Sequence, residues 1–245
     1  DNHSNSNIQI DVYENQESSG WALRNTVISS QGGNSHNAVS ISGDGNTMYV
    51  GGDKAFIYTY DTQTSSWDSG LEITGGAGRV NYNSRISKNA QTVAIAGAES
   101  NIMYLYRKQA NGSYEEKNAI TLSSINAVDI SADGNFVVIA NYVSSNNWAG
   151  NVYMYEYNST TDSFDSIGCP IQGQDFEYIS HSQNYDGVLI SDDGTVLSAI
   201  NSPTKHSFPS NPVNPPFPRA VVYKIFELNS STPTPTPTPA QTIDV

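Results

Sequence analysis

Cysteine is nearly missing from this chain: Cys169 is the single one in 245 residues. A lone thiol cannot close an internal disulfide, so cysteine usage leaves the compartment open, and its place inside an expected β-strand predicts an ordinary buried thiol. Basic residues are also scarce, with 11 Lys and Arg against 24 Asp and Glu and a net charge of −13. Phosphate backbones and anionic bilayers both require positive patches, which excludes nucleic acid as a partner. Charge of either sign amounts to only 14% of residues, so Ser, Thr, Asn, Gln, Tyr and Gly must supply the polar surface. No apolar run reaches the length that spans a bilayer, and direct membrane insertion is not expected.

Catalytic patterns are equally thin. His3, His36, His181 and His206 are scattered, without the paired spacing of a zinc site. Gly33-Asn34-Ser35-His36-Asn37 sets a serine beside a histidine but lacks the second glycine and the strand-turn-helix setting of a nucleophile elbow. Glu115 and Glu116 are adjacent and would alternate across a strand rather than converge on a sugar. These gaps lead to the expectation of no enzyme activity, no cofactor and no metal.

What the chain has is a recurring phrase. It reads Ser42-Gly43-Asp44-Gly45, Ser87-Lys88-Asn89-Ala90, Ser131-Ala132-Asp133-Gly134 and Ser191-Asp192-Asp193-Gly194. Each copy follows an apolar strand ending in Ile41, Ile86, Ile130 or Ile190 and precedes a second apolar strand. Asp bonds its own backbone in such a turn and Gly accepts positive φ. Tyr-rich strands with period-two alternation come next, at 8–13, 56–60, 102–106, 152–157 and 221–226, followed by strands led by Trp21, Trp67, Tyr114 and Phe164. The period of about 45 residues is that of a four-stranded propeller blade, and the aromatics are expected to pack between blades. The prediction is an all-β propeller of four to five blades over residues 1–228, incomplete at its ends, then a separate segment over 229–245.

The phrase Asp165-Ser166-Ile167-Gly168-Cys169-Pro170-Ile171-Gln172-Gly173-Gln174, followed by Val188 to Gly194 and by Val221-Val222-Tyr223, resembles the FG-GAP-related repeats of secreted algal and marine microbial proteins. Gly51-Gly52, Tyr60-Asp61 and Trp67 resemble a kelch repeat. Both resemblances imply a β-propeller. Some FG-GAP propellers bind calcium, but each turn here offers only one or two carboxylates, and the second copy has Asn89 in place of Asp. A structural turn is therefore expected, because a hard cation needs several converging oxygens. Some kelch-type propellers carry a Tyr-Cys crosslinked copper centre, and Cys169 lacks the histidine context for one.

Exposure to a secretory pathway is expected on three grounds. The sequence begins at Asp1, as a product with its signal peptide removed would. Sequons stand at Asn2, Asn111, Asn158 and Asn229, and those at Asn111 and Asn158 fall in the same outer hairpin of their repeats, which predicts N-glycans there. Residues Thr232, Pro233, Thr234, Pro235, Thr236, Pro237, Thr238 and Pro239 alternate strictly, a pattern that favours a polyproline II rod of roughly 25 Å. That rod reads either as a spacer or as an O-glycosylated stalk, modified on threonine or hydroxylated proline.

Two segments point to assembly. The stretch 203–218 inserts Phe208 and Phe217 between strands of the last repeat, as a partner contact or a packed surface loop. Gln241-Thr242-Ile243-Asp244-Val245 alternates like a short strand, and a surplus third strand at the other end leaves an edge to which Ile243 and Val245 could add. The functional expectation is an extracellular structural glycoprotein, self-associating head to tail into a filament, hair or matrix and carrying covalent glycans. The alternative is a glycan- or protein-binding adhesion module that uses a propeller face.

Overall fold

A computed structural model gives an all-β chain and describes residues 8–29, 38–52, 54–73, 83–97, 101–142, 150–172, 177–179, 187–203 and 219–224. Among the described residues the strands form five small sheets whose hydrogen-bonded pairs are antiparallel. Sheet 1 holds β1 (Ile8–Gln16) and β2 (Gly20–Ser29). Sheet 2 holds β3 (Ala38–Ile41), β4 (Thr47–Gly51), β5 (Ala55–Asp61), β6 (Ser66–Trp67) and β7 (Leu71–Glu72). Sheet 3 holds β8 (Arg85–Ile86), β9 (Thr92–Ala96), β10 (Ile102–Lys108) and β11 (Tyr114–Thr121). Sheet 4 holds β12 (Ile125–Ile130), β13 (Phe136–Tyr142), β14 (Gly150–Asn158), β15 (Ser163–Ser166) and β16 (Ile171–Gln172). Sheet 5 holds β17 (Glu177–Ile179), β18 (Val188–Ile190), β19 (Val196–Pro203) and β20 (Arg219–Lys224).

The four Ser-led phrases build one turn four times. Ser42 Oγ donates to Asp44 at 2.5 Å and accepts from the Thr47 amide at 2.9 Å. Ser87 does the same with Asn89 and Thr92, Ser131 with Asp133 and Phe136, and Ser191 with Asp193 and Val196. The Asp or Asn oxygen also accepts an amide two residues on, at 3.0 Å in all four copies. These bonds close within the hairpin, which needs no outside ligand to hold its shape. Ile41, Ile86, Ile130 and Ile190 each end the strand entering the turn, in equivalent positions.

Sheets stack face to face in chain order, and apolar clusters fill the spaces between neighbours. Because a middle strand is covered on both faces, β4 and β9 are buried at every residue and read as continuous apolar runs rather than alternations. Backbone bonds join the turns of different sheets at one end of the stack: Gly43 N to Lys88 O at 2.7 Å, Asn89 N to Ala132 O at 3.0 Å, and Ala132 N to Asp192 O at 3.0 Å. Lys88 reaches past sheet 4 to the Asp192 carboxylate, at 2.6 Å, so the turns converge.

Two expectations need correction. Cys169 is exposed; it lies between β15 and β16 because the outer strand breaks at Ile167-Gly168-Cys169-Pro170, where Gly168 takes φ +63° and proline cannot donate to the ladder. Trp21 is 73% exposed instead of packing between sheets, because it lies on the face of sheet 1 turned away from sheet 2.

Candidate functional site

Two regions stand out, the end of the stack where the turns meet and the open face of sheet 1. At the turn end, guanidinium groups clamp successive sheets. Arg24 of β2 lies 3.7 Å over the Tyr60 ring of sheet 2 and donates to Gly45 O at 2.9 Å and Asn46 Oδ1 at 2.8 Å. Arg107 of β10 lies 4.0 Å over the Tyr157 ring of sheet 4 and donates to Gly134 O and Thr92 Oγ1, both at 2.8 Å. Tyr60 and Tyr157 are equivalent, since each donates its amide to the carbonyl of the Asn after the turn glycine, Asn46 or Asn135, at 2.8 Å. A planar cation suits both contacts at once: it stacks on the ring and forks to a carbonyl. Sequence reasoning missed these arginines because the two come from different strands of the repeat, and only alignment on Tyr60 and Tyr157 brings them together.

The charged groups at this end are solvent-facing. The Lys88–Asp192 pair leaves side chains 59% and 69% exposed, so it contributes about 0–1 kcal/mol. Hydrogen bonds from Ser191 and Thr195 hold the Asp193 carboxyl down at about 2, and Ser42 with the Asn46 amide lowers Asp44. Among the described residues no three His, Cys, Asp or Glu side chains are grouped to hold a metal ion. The turn carboxylates instead engage their own hairpins.

The two described sequons occupy exposed hairpins with different geometry. Asn111 stands in the β10–β11 turn, where its Oδ1 accepts from the Ser113 amide at 3.0 Å and the Ser113 hydroxyl at 2.7 Å. Its Nδ2 has no partner among the described residues. Asn158 ends β14; its Oδ1 accepts from the Thr160 amide and its Nδ2 donates to Asp165 at 2.9 Å. Asn2, Asn229, Thr232 to Pro239, Phe208, Phe217, Ile243 and Val245 lie outside the described residues.

The open face begins with sheet 1. Val12 and Val27 bury against Met48, Val50 and Tyr58 of sheet 2. On the opposite face Tyr13, Leu23 and Ile28 are each more than half exposed, together with Trp21. Among the described residues sheet 1 has only β1 and β2, which pack over the outer part of sheet 2. Its inner part stays bare: Val39 and Ile41 of β3 are 49% and 44% exposed. The equivalent Val128 and Ile130 of sheet 4 and Val188 and Ile190 of sheet 5 are exposed by 8% or less.

No family model matches the chain, and no curated protein matches it either. Solved structures do resemble it. A putative 6-phosphogluconolactonase from Bacteroides uniformis has 14% identity and a TM-score of 0.55, over 88% of this chain and 60% of that one. The periplasmic gluconolactonase of Pseudomonas aeruginosa has 13% identity and a TM-score of 0.55, over 88% and 59%. Hydrazine synthase of Kuenenia stuttgartiensis has 16% identity and a TM-score of 0.52, over 81% and 59%. This chain thus spans about three-fifths of the length of these neighbours. Their descriptions overturn the expectation of a non-enzyme: proteins described as lactonases share this arrangement of sheets, so thin catalytic motifs give no ground for excluding catalysis. At this identity the likeness carries the fold alone, and that fold is all-β and β-propeller-like.

Proposed function

We propose that the chain is a secreted structural glycoprotein, assembled head to tail into a surface filament, hair or matrix. Sheets 2 to 5 are each one blade of a propeller in this reading, and sheet 1 is the outer half of another. The observation that carries it is the open face, where Val39 and Ile41 stay bare although their equivalents in sheets 4 and 5 are covered. Heterologous contacts between unlike ends that do not close on themselves generate filaments. Support for export comes from two sequons in exposed hairpins, at Asn111 and Asn158, and from the Thr-Pro tract over 232–239, which suits O-linked sugar. Covalent glycans would cover the outer edges while the turn end and the open face stay available for assembly.

The test is direct. Electron micrographs and sedimentation of native material are expected to show polymers with a regular subunit repeat, and intact mass is expected to exceed the bare 26.5 kDa polypeptide. Purely monomeric, unmodified native protein would end this reading. A glycan- or protein-binding adhesion module is the competing function, favoured by the exposed polar groups Asp44, Lys88, Asp133 and Asp192 gathered at the turn end. It is separated by the same sedimentation run, since a binding module stays monomeric until ligand is added.

A further inference from the structure

Among the described residues, sheet 1 has no strand like the one that covers the inner part of its neighbour in the later interfaces. Between sheets 3 and 4, Ala94 and Ala96 of β9 pack in one cluster with Val128 and Ile130. Between sheets 4 and 5, Val138 and Ala140 of β13 pack with Val188 and Ile190. Each time the cover is a second strand presenting two small or apolar side chains two residues apart, hydrogen-bonded to the third strand of its own sheet. In sheet 1 the third-strand position belongs to β1, whose other edge pairs with no described strand. A free edge and a bare apolar pair, side by side, are the two halves of a strand-acceptor slot.

We infer that this slot receives residues 241–245 of a second copy of the chain, a contact that rests on the head-to-tail reading above. Thr242-Ile243-Asp244-Val245 contains no proline and alternates, so a strand placed antiparallel to β1 would set Ile243 and Val245 on one face and Thr242 and Asp244 on the other. The spacing of Ile243 and Val245 matches that of Val39 and Ile41, as Ala94 and Ala96 match Val128 and Ile130. The alternating prolines of the Thr-Pro tract over 232–239 disfavour a sheet interior, and a polyproline II rod of roughly 25 Å, as expected from that pattern, would let residues 241–245 reach a neighbouring molecule. Second-strand addition therefore continues the stack from one molecule into the next.

A complementation experiment tests this with the full chain. Wild type, an Ile243→Asp/Val245→Asp variant and a Val39→Asp/Ile41→Asp variant are compared by analytical ultracentrifugation, with circular dichroism verifying that each is folded. Wild type is expected to assemble and each variant alone to stay monomeric. An equimolar mixture is expected to form dimers and stop there, because one partner supplies only a strand and the other only a slot. Should the aspartates at 39 and 41 disturb folding, Val39→Thr/Ile41→Thr keeps β propensity and is expected to weaken assembly at least about tenfold. A mixture that remains monomeric overturns the contact, and so does a tail variant that assembles like wild type. Persistent assembly in the tail variant leaves the filament reading standing, whereas a wild-type chain that never assembles removes both.

Discussion

The turns of sheets 3 and 4 are alike in geometry and unlike in sequence. Ala90 and Gly134 hold the same position, after Asn89 in one and Asp133 in the other, and both have positive φ, 57° and 72°. Their surroundings differ. A Cβ on Gly134 would sit 2.8 Å from Thr92 Oγ1 and 3.0 Å from Ser87 Oγ, both in the preceding sheet. The Ala90 methyl is accommodated, and Tyr114 of its own sheet donates to Ala90 O at 2.6 Å. Glycine in this repeat thus answers two separate demands, one from the backbone and one from the neighbouring sheet. Sheet 3 escapes the second and tolerates the first.

The largest effect comes from both demands at once. Gly134→Ala is expected to lose about 2–5 kcal/mol, the sum of a left-handed residue and an overpacked contact, read from chemical denaturation. A loss below about 1 kcal/mol would show that the Ser87–Thr92 surface yields freely. Gly194→Ala should behave likewise, because a Cβ there meets the Phe136 ring of sheet 4.

Ser131→Ala probes the turn without the neighbour. The hydroxyl is fully buried and bonded to Asp133 at 2.6 Å and to the Phe136 amide at 2.9 Å. Removing it strands an amide and is expected to cost about 1–3 kcal/mol. Arg107→Ala should cost somewhat less, about 1–2 kcal/mol, because Thr92 Oγ1 continues to donate to Gly134 O at 2.6 Å after the stack on Tyr157 is lost. Equal losses for Ser131→Ala and its counterpart in the more exposed Ser191 turn would contradict the weight placed on burial.

Ala90→Gly is the opposite probe. Relief of the left-handed strain is offset by a more flexible unfolded chain, so the net change is expected to lie between zero and about 1 kcal/mol of stabilisation. Destabilisation would mean that the Ala90 methyl, 6% exposed, contributes packing that outweighs its strain.

Acid distinguishes the Asp turns from the Asn89 turn by the least. Asp193 has a folded pKa of about 2 against an ordinary 3.8. A carboxyl depressed on folding stabilises fully above the unfolded value and loses that contribution as pH falls through the folded one. Thermal stability should therefore decline between about pH 4 and pH 2, and Asp193→Asn should flatten that limb by imitating Asn89. An acid limb unchanged in this variant would place the sensitivity elsewhere.

Much of the fold is legible in the sequence because its signals are local. Each Ser-led phrase closes its own hydrogen bonds within six residues, so Ser42, Ser87, Ser131 and Ser191 announce the same hairpin wherever they stand. Alternating tyrosines mark β5, β10 and β14 for the same reason. Breaks in the outer strands are harder to see, since β15 and β16 are interrupted at Gly168 and Pro170 within a segment whose place in the repeat, after Phe164, suggests one strand. The same segment hides the exposure of Cys169.

The candidate site divides along the same line. An acidic, cation-poor β-chain, four equivalent turns and sequons at hairpins are readable from the residues alone, because each depends on composition or on contacts a few residues apart. Long-range packing is what makes Arg24 and Arg107 clamp successive sheets from different strands, sets Gly134 against Thr92 forty-two residues away, and leaves Val39 and Ile41 bare while Val128 and Ile130 are covered. Those outcomes depend on which sheet lies next to which, and an apolar pair has the same residues whether or not a neighbouring strand arrives to cover it.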